Sequence, residues 1–178
     1  DEIANFIAVK VGDLNGSAHA NSLNNPGDIR SQEVLNFKVT DRALSAGERY
    51  TITFAADQFT DILGYQFTLE YDPNQLSFED LNTGQLPELT PDNFGIRNTE
   101  GIITNSWNTR NGLTMKDGIA LFSLTFTAKA DILLSKAVGV SSSFTRAEAY
   151  SNATALMDVG IVFDDQVATT PEFALYQN

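Results

Sequence analysis

Residues 62–78, ILGYQFTLEYDPNQLSF, constrain the fold more than any other stretch of this chain. Phe67, Leu69 and Tyr71 alternate with Gln66, Thr68 and Glu70, the two-residue period of a strand with one face in a core and the other in water. Asp72-Pro73-Asn74 then stops the strand, because proline presets a turn dihedral and the flanking Asp and Asn side chains bond their own backbone. Leu76 and Phe78 resume the apolar face. The unit is a strand, a turn and a second strand, and the rest of the chain is weighed against it.

From residue 34 onward short strand-like segments follow one another, separated by Gly, Pro, Asn and Asp, with no stretch of helical period. They fall at 34–40, 49–55, 62–71, 75–81, 93–98, 102–108, 119–129, 138–141, 144–150 and 158–163. The spacing predicts an all-β chain of about nine or ten strands in two packed antiparallel sheets. The second strong signal is 119–130, where Phe122, Leu124, Phe126 and Ala128 point one way and Ser123, Thr125, Thr127 and Lys129 the other. Each large apolar side chain buried there is worth about 1.5–3 kcal/mol, so a one-residue slip is costly and the inward face is well determined. Residues 131–137, DILLSKA, are read as a loop.

With 178 residues, 42% of them hydrophobic and twelve of them Phe, the chain has material for one sizeable core. It carries no cysteine, so the core must supply the stability without disulfides or thiolate sites. The net charge of −12 sets the surface against nucleic acids and anionic membranes. No apolar run approaches the length needed to span a bilayer, and no signal peptide opens the chain, so any export signal is expected outside these residues.

The two strong segments resemble the cohesin-like modules of bacterial extracellular proteins. The first carries the pattern G-x-x-F-x-L-x-Y-D-P-x-x-L-x-F in Gly64, Phe67, Leu69, Tyr71, Asp72, Pro73, Leu76 and Phe78. The second resembles G-x-A-L-x-x-L-x-F-x-A, with Gly118, Ala120, Leu121, Leu124, Phe126 and Ala128. The resemblance implies an antiparallel β-sandwich of the cohesin-like jelly-roll kind over residues 31–166. It also implies a flat sheet face offered to a dockerin helix, here the outward Gln66, Thr68 and Glu70. Related carbohydrate-binding sandwiches share much of the pattern, so it speaks for the fold more strongly than for the ligand.

The flanks differ in character. Residues 1–30 join an apolar run, 3–11, to an Asn-rich linker, and FIAVKVGDLNGS within them resembles part of a dockerin-like repeat. Asp13, Asn15 and Ser17 take the first, third and fifth places of its calcium loop, but Asn24 stands where a bidentate carboxylate belongs, so strong calcium binding is not expected. Residues 167–178 read as a linker, and PEFALYQN within them resembles the lead-in to the C-terminal sorting domain of type IX secretion cargo. That resemblance implies the outer surface of a Gram-negative bacterium, or its medium. The apolar run 3–11 has two readings: it folds back on its own domain, or Phe6, Ala8 and Val9 add as a strand to a neighbouring subunit's sheet edge and build a filament.

Chemistry is sparse. The one histidine, His19, lies in the linker, and no nucleophile elbow or phosphate-binding glycine loop is present. Glu70, Asp72, Glu79 and Asp80 cluster in sequence at the first turn, but their spacing reads as a solvated acidic edge rather than a glycosidase pair. Trp107 with Asn105 and Asn108 is the alternative site, a platform on which a sugar ring could stack, against a reading of Trp107 as a core residue. The expectation is a non-catalytic surface module acting by protein–protein contact or self-association in adhesion or scaffolding, or else a carbohydrate-binding module. No cofactor is expected, and calcium is the ion its oxygen ligands would take.

Overall fold

The structure, a computed structural model, describes residues 30–153 and 156–164. The expectations placed on Phe6, Ala8, Val9, Asp13, Asn15, Ser17, His19 and residues 167–178 lie outside the described residues. Among those described, the strands are β1 (Arg30–Thr40), β2 (Ala43–Leu44), β3 (Arg49–Asp57), β4 (Ile62–Tyr71), β5 (Leu76–Thr83), β6 (Phe94–Arg97), β7 (Ile102–Leu113), β8 (Ala120–Ala128), β9 (Ile132–Leu133), β10 (Val138–Ser141), β11 (Glu148–Ser151) and β12 (Leu156–Asp164).

The turn between β4 and β5 forms for the reason its sequence implies. The Asp72 carboxylate accepts a bond from the Asn74 backbone N–H at 2.8 Å, and the Leu76 N–H closes back on the Asp72 carbonyl at 2.9 Å. The strands then pair in the order β5-β8-β3-β1-β12-β11-β4-β7-β6, with β10 beside β4 as well. β10 and β11 share one edge of β4, β10 facing residues 68–71 and β11 facing residues 62–66. This continuous sheet curls into the expected jelly-roll sandwich, with β12, β1, β3, β8 and β5 in one layer and β10, β11, β4, β7 and β6 in the other.

Aromatic rings tie the layers together. Phe37 of β1 lies 5.1 Å from both Tyr65 and Phe67 of β4, and Phe122 of β8 lies 5.4 Å from Phe94 of β6. The inward face read for β8 is correct: Phe122, Leu124, Phe126 and Ala128 are all buried. Ser123 and Thr127 stay half-buried on the other side.

Four details depart from the sequence reading. β1 and β12 pair in parallel, since the two ends of the described chain run side by side in one layer. Residues 131–137 form β9, paired with β2, and the helical turn α1 (Leu134–Ala137), not a loop. So short a turn has no helical stability of its own, and burial of Leu134 and Ala137 holds it. β11 begins at Glu148 instead of 144, leaving residues 142–147 as a loop. Finally, a register shift opposite Phe54 and Ala55 makes Leu121 the extra residue of a bulge and buries it completely.

Candidate protein-binding face

Tyr65, Phe67, Leu69 and Tyr71 are buried between the layers, so Gln66, Thr68 and Glu70 project from the outer side of β4. Strand register extends that side into rows. Gln66 lies between Glu148 of β11 and Ser106 of β7; Thr68 between Ser141 and Thr104, with Gly95 beyond; and Glu70 between Gly139 and Ile102, with Arg97 beyond. A fourth row runs from Tyr150 through Gly64 to Asn108. Small residues at Gly64, Gly95, Ser106 and Thr104 keep this floor low.

The three residues named from sequence share this side but differ in access. Gln66 is half-buried and its Nε2 donates to Glu148 Oε1 at 3.0 Å. Thr68 is fully covered, because the loop 142–147 folds over it: the Thr145 N–H donates to Thr68 Oγ1 at 2.8 Å, and Thr68 Oγ1 donates to the Thr145 carbonyl at 3.0 Å. Glu70 is exposed, and Ser141 Oγ donates to its Oε1 at 2.8 Å. Hydrogen bonds from Ser143 and Ser141 hold its carboxyl below the usual carboxylate range. Sequence alternation placed these side chains on one face and carried no signal that a distant loop would cap the middle one.

The sugar-platform reading of Trp107 and Asn105 is corrected by their burial. Trp107 pairs with Tyr65 and turns inward, 2% exposed, its Nε1 donating to the Pro87 carbonyl at 2.8 Å and its ring 5.7 Å from that of Tyr65. Asn105 is also inward, its Nδ2 donating to the Asn93 carbonyl at 3.2 Å. Asn108 alone of the three is exposed. The stretch reads ITNSWN, and its strand parity puts Asn105 and Trp107 together on the core side, a polar residue beside an aromatic one.

Tyr65 shows the cost of that crowded core. Its hydroxyl is buried without a hydrogen-bond partner, and burial pushes the phenol well above its ordinary range. Tyr65→Phe is therefore expected to leave stability unchanged or raise it by up to about 1 kcal/mol, read from the urea midpoint. A loss beyond about 1 kcal/mol would reveal a buried water that partners the hydroxyl.

Among the described residues no group of three His, Cys, Asp or Glu side chains gathers to hold a metal ion. No helix among them is long and apolar enough to cross a membrane. Asp72, Glu79 and Asp80 are exposed, as an acidic edge should be. The outer side of β4, β7 and β6 can thus offer shape, hydroxyls and exposed side chains to another macromolecule.

Comparison with known proteins agrees with this architecture. No curated protein matches the chain. Among solved structures, the sixth cohesin of scaffoldin B from Acetivibrio cellulolyticus, in complex with a Cel5 dockerin mutant, is 14% identical with a TM-score of 0.51 over 72% of this chain and 99% of that one. The OlpC cohesin in its Doc435 complex, from Clostridium thermocellum, is 12% identical at a TM-score of 0.50 over 76% and 99%. A type II cohesin, A11 of Bacteroides cellulosolvens, is 16% identical at 0.50 over 70% and 95%. At such identities these likenesses speak to fold. The Cohesin domain model matches residues 35–163, from β1 to β12, and with that span the chain belongs to the cohesin domain family of non-catalytic protein-interaction modules.

Proposed function

We propose that this chain is a bacterial surface module that recruits a dockerin-type helical partner onto the outer side of β4, β7 and β6. The observation that carries the reading is the family match across the whole sandwich, joined to a face whose Ser106 and Asn108 stand exposed over a low floor. The related cohesins of Acetivibrio cellulolyticus and Clostridium thermocellum were solved with dockerins, which supports a dockerin-type partner, and the resemblance of residues 62–78 to cohesin-like modules implies a helix as its contact element. The resemblance of residues 171–178 to a type IX sorting lead-in supports the outer surface of a Gram-negative cell as its place. An adhesive or scaffolding role follows from recruiting partners there. Self-assembly through Phe6, Ala8 and Val9 is the second reading, favoured by β5 and β6, which each have one unpaired edge among the described strands.

The test uses the full chain and the dockerin-type modules encoded in the same genome, with calorimetry as the readout. At least one module is expected to bind. Ser106→Arg, which raises a long charged side chain in the middle of the face, should weaken binding at least tenfold or so. Thr53→Arg, on the outer side of the opposite layer, should leave it unchanged. Light scattering on the same samples separates the second reading: oligomers that vanish when residues 1–11 are deleted, with no module bound, would put strand addition in place of recruitment.

A further inference from the structure

The loop 142–147 does more than cover Thr68. Besides the paired bonds between Thr145 and Thr68, the Ala147 N–H donates to Ser142 Oγ at 2.9 Å, and Ser141 Oγ lies 3.1 Å from Ser143 Oγ. Held in this way, the loop carries Phe144 across the outer side of β4 and β7 as far as β6, where the Arg97 guanidinium carbon lies 4.3 Å from the ring centre. Arg97 is fixed in turn by Glu100, at 3.1 Å. Phe144 is nonetheless 55% exposed, more than any other exposed large hydrophobic residue described, and Tyr150 is exposed on the same outer side. An anchored loop that leaves its largest apolar side chain in water is an unusual use of a phenylalanine.

The charges around it balance. The chain carries −12 overall, yet on this layer Arg97, Arg110 and Arg146 stand against Glu70, Glu100 and Glu148. A partner approaching Phe144 therefore meets little of the field that the rest of the surface sets up. Charge balance with an exposed ring suits the apolar side of an amphipathic helix, and gives no advantage to a polybasic or polyacidic segment.

We infer that Phe144, held against Arg97, is the anchor of the partner interface and inserts between apolar side chains of a partner's amphipathic helix, while Gln66, Ser106 and Asn108 form a polar floor beside it. The inference rests on the reading of this layer as the partner-binding face. Aromatic and arginine side chains dominate the energetics of such interfaces, and a ring already fixed by its loop loses little freedom on binding. The recognition element is then supplied by the loop between β10 and β11, because that same loop has removed Thr68 from access.

Calorimetry of the full chain with a bound dockerin-type module tests this. Phe144→Ala should weaken binding about 30-fold or more, with an unchanged thermal midpoint, since its ring is more than half exposed. Arg97→Ala should weaken binding less, and should add little in the Phe144→Ala background, as expected for a residue that acts by positioning the ring. Raising salt from about 50 to about 500 mM should change the wild-type affinity less than about threefold. If Phe144→Ala binds within about twofold of wild type while Ser106→Arg does not bind, the anchor is overturned and the face stands. If neither variant changes binding, or no module binds the wild type, the face itself is overturned and the anchor with it.

Discussion

Phe122→Ala is expected to remove about 3–5 kcal/mol of stability, a large part of the roughly 5–15 kcal/mol that holds a domain together. Phe122 is fully buried where the layers meet. Its ring stacks on Phe54 at 4.6 Å and lies 5.9 Å from Phe37, 6.4 Å from Phe67 and 5.4 Å from Phe94. Those partners come from β3, β1, β4 and β6, so no single strand can move to fill the space that alanine leaves. The cavity term therefore adds to the lost transfer energy. Phe122→Leu keeps most of the volume and should recover at least half of the loss. Urea unfolding of the three proteins decides the matter, and a loss under about 1.5 kcal/mol for alanine would mean that the layers do not close around this ring.

Gly101→Ala is the second large expected effect, at about 2–4 kcal/mol, and its origin is backbone. Gly101 closes the turn from β6 into β7 with φ +68°, a left-handed conformation that costs a residue with a Cβ about 1 kcal/mol or more. Its carbonyl accepts the Tyr71 N–H at 2.9 Å, tying the turn to the end of β4. An added methyl group would run into the Tyr71 carbonyl oxygen and come within 2.9 Å of the Pro73 ring. Neither obstacle is the loose end of a side chain. Gly47 provides the comparison, with φ +86° and open space where its methyl would go, so Gly47→Ala should cost about 1 kcal/mol from conformation alone. Equal losses at the two sites would show that the Tyr71–Pro73 turn yields, and would remove the steric part of the explanation.

The anchor at Phe144 could not be read from its neighbours. SSSFTRAEAY scans as a strand from residue 144, and its alternation sets Phe144 on the side of Arg146, Glu148 and Tyr150, away from Ala147 and Ala149, with no signal that a loop would carry the ring to Arg97. In the fold the strand starts only at Glu148, because residues 142–147 spend their hydrogen bonds on Thr68 and on their own serines. Trp107 went the opposite way: polar neighbours made it a candidate for exposure, and the register with Tyr65 turned it into the core. In both cases the deciding contact joins segments far apart in the chain. Asp72 and Asn74 needed no such help, since their turn closes within a few residues.

What the sequence by itself determined is the set of local periods and turns: the inward faces of β4 and β8, the Asp72-Pro73-Asn74 turn, the all-β class and the placement of Gln66, Thr68 and Glu70 on one side. These follow from the two-residue repeat of an extended chain and from side chains that bond their own backbone. The tertiary structure alone decided which outward residues stay accessible, that Leu121 bulges inward, that β1 and β12 run parallel, and that Phe144 is carried to Arg97. Strand parity assigns a side chain to a face. Whether that face meets water depends on what folds over it, and Thr145, which covers Thr68, lies 77 residues further along the chain.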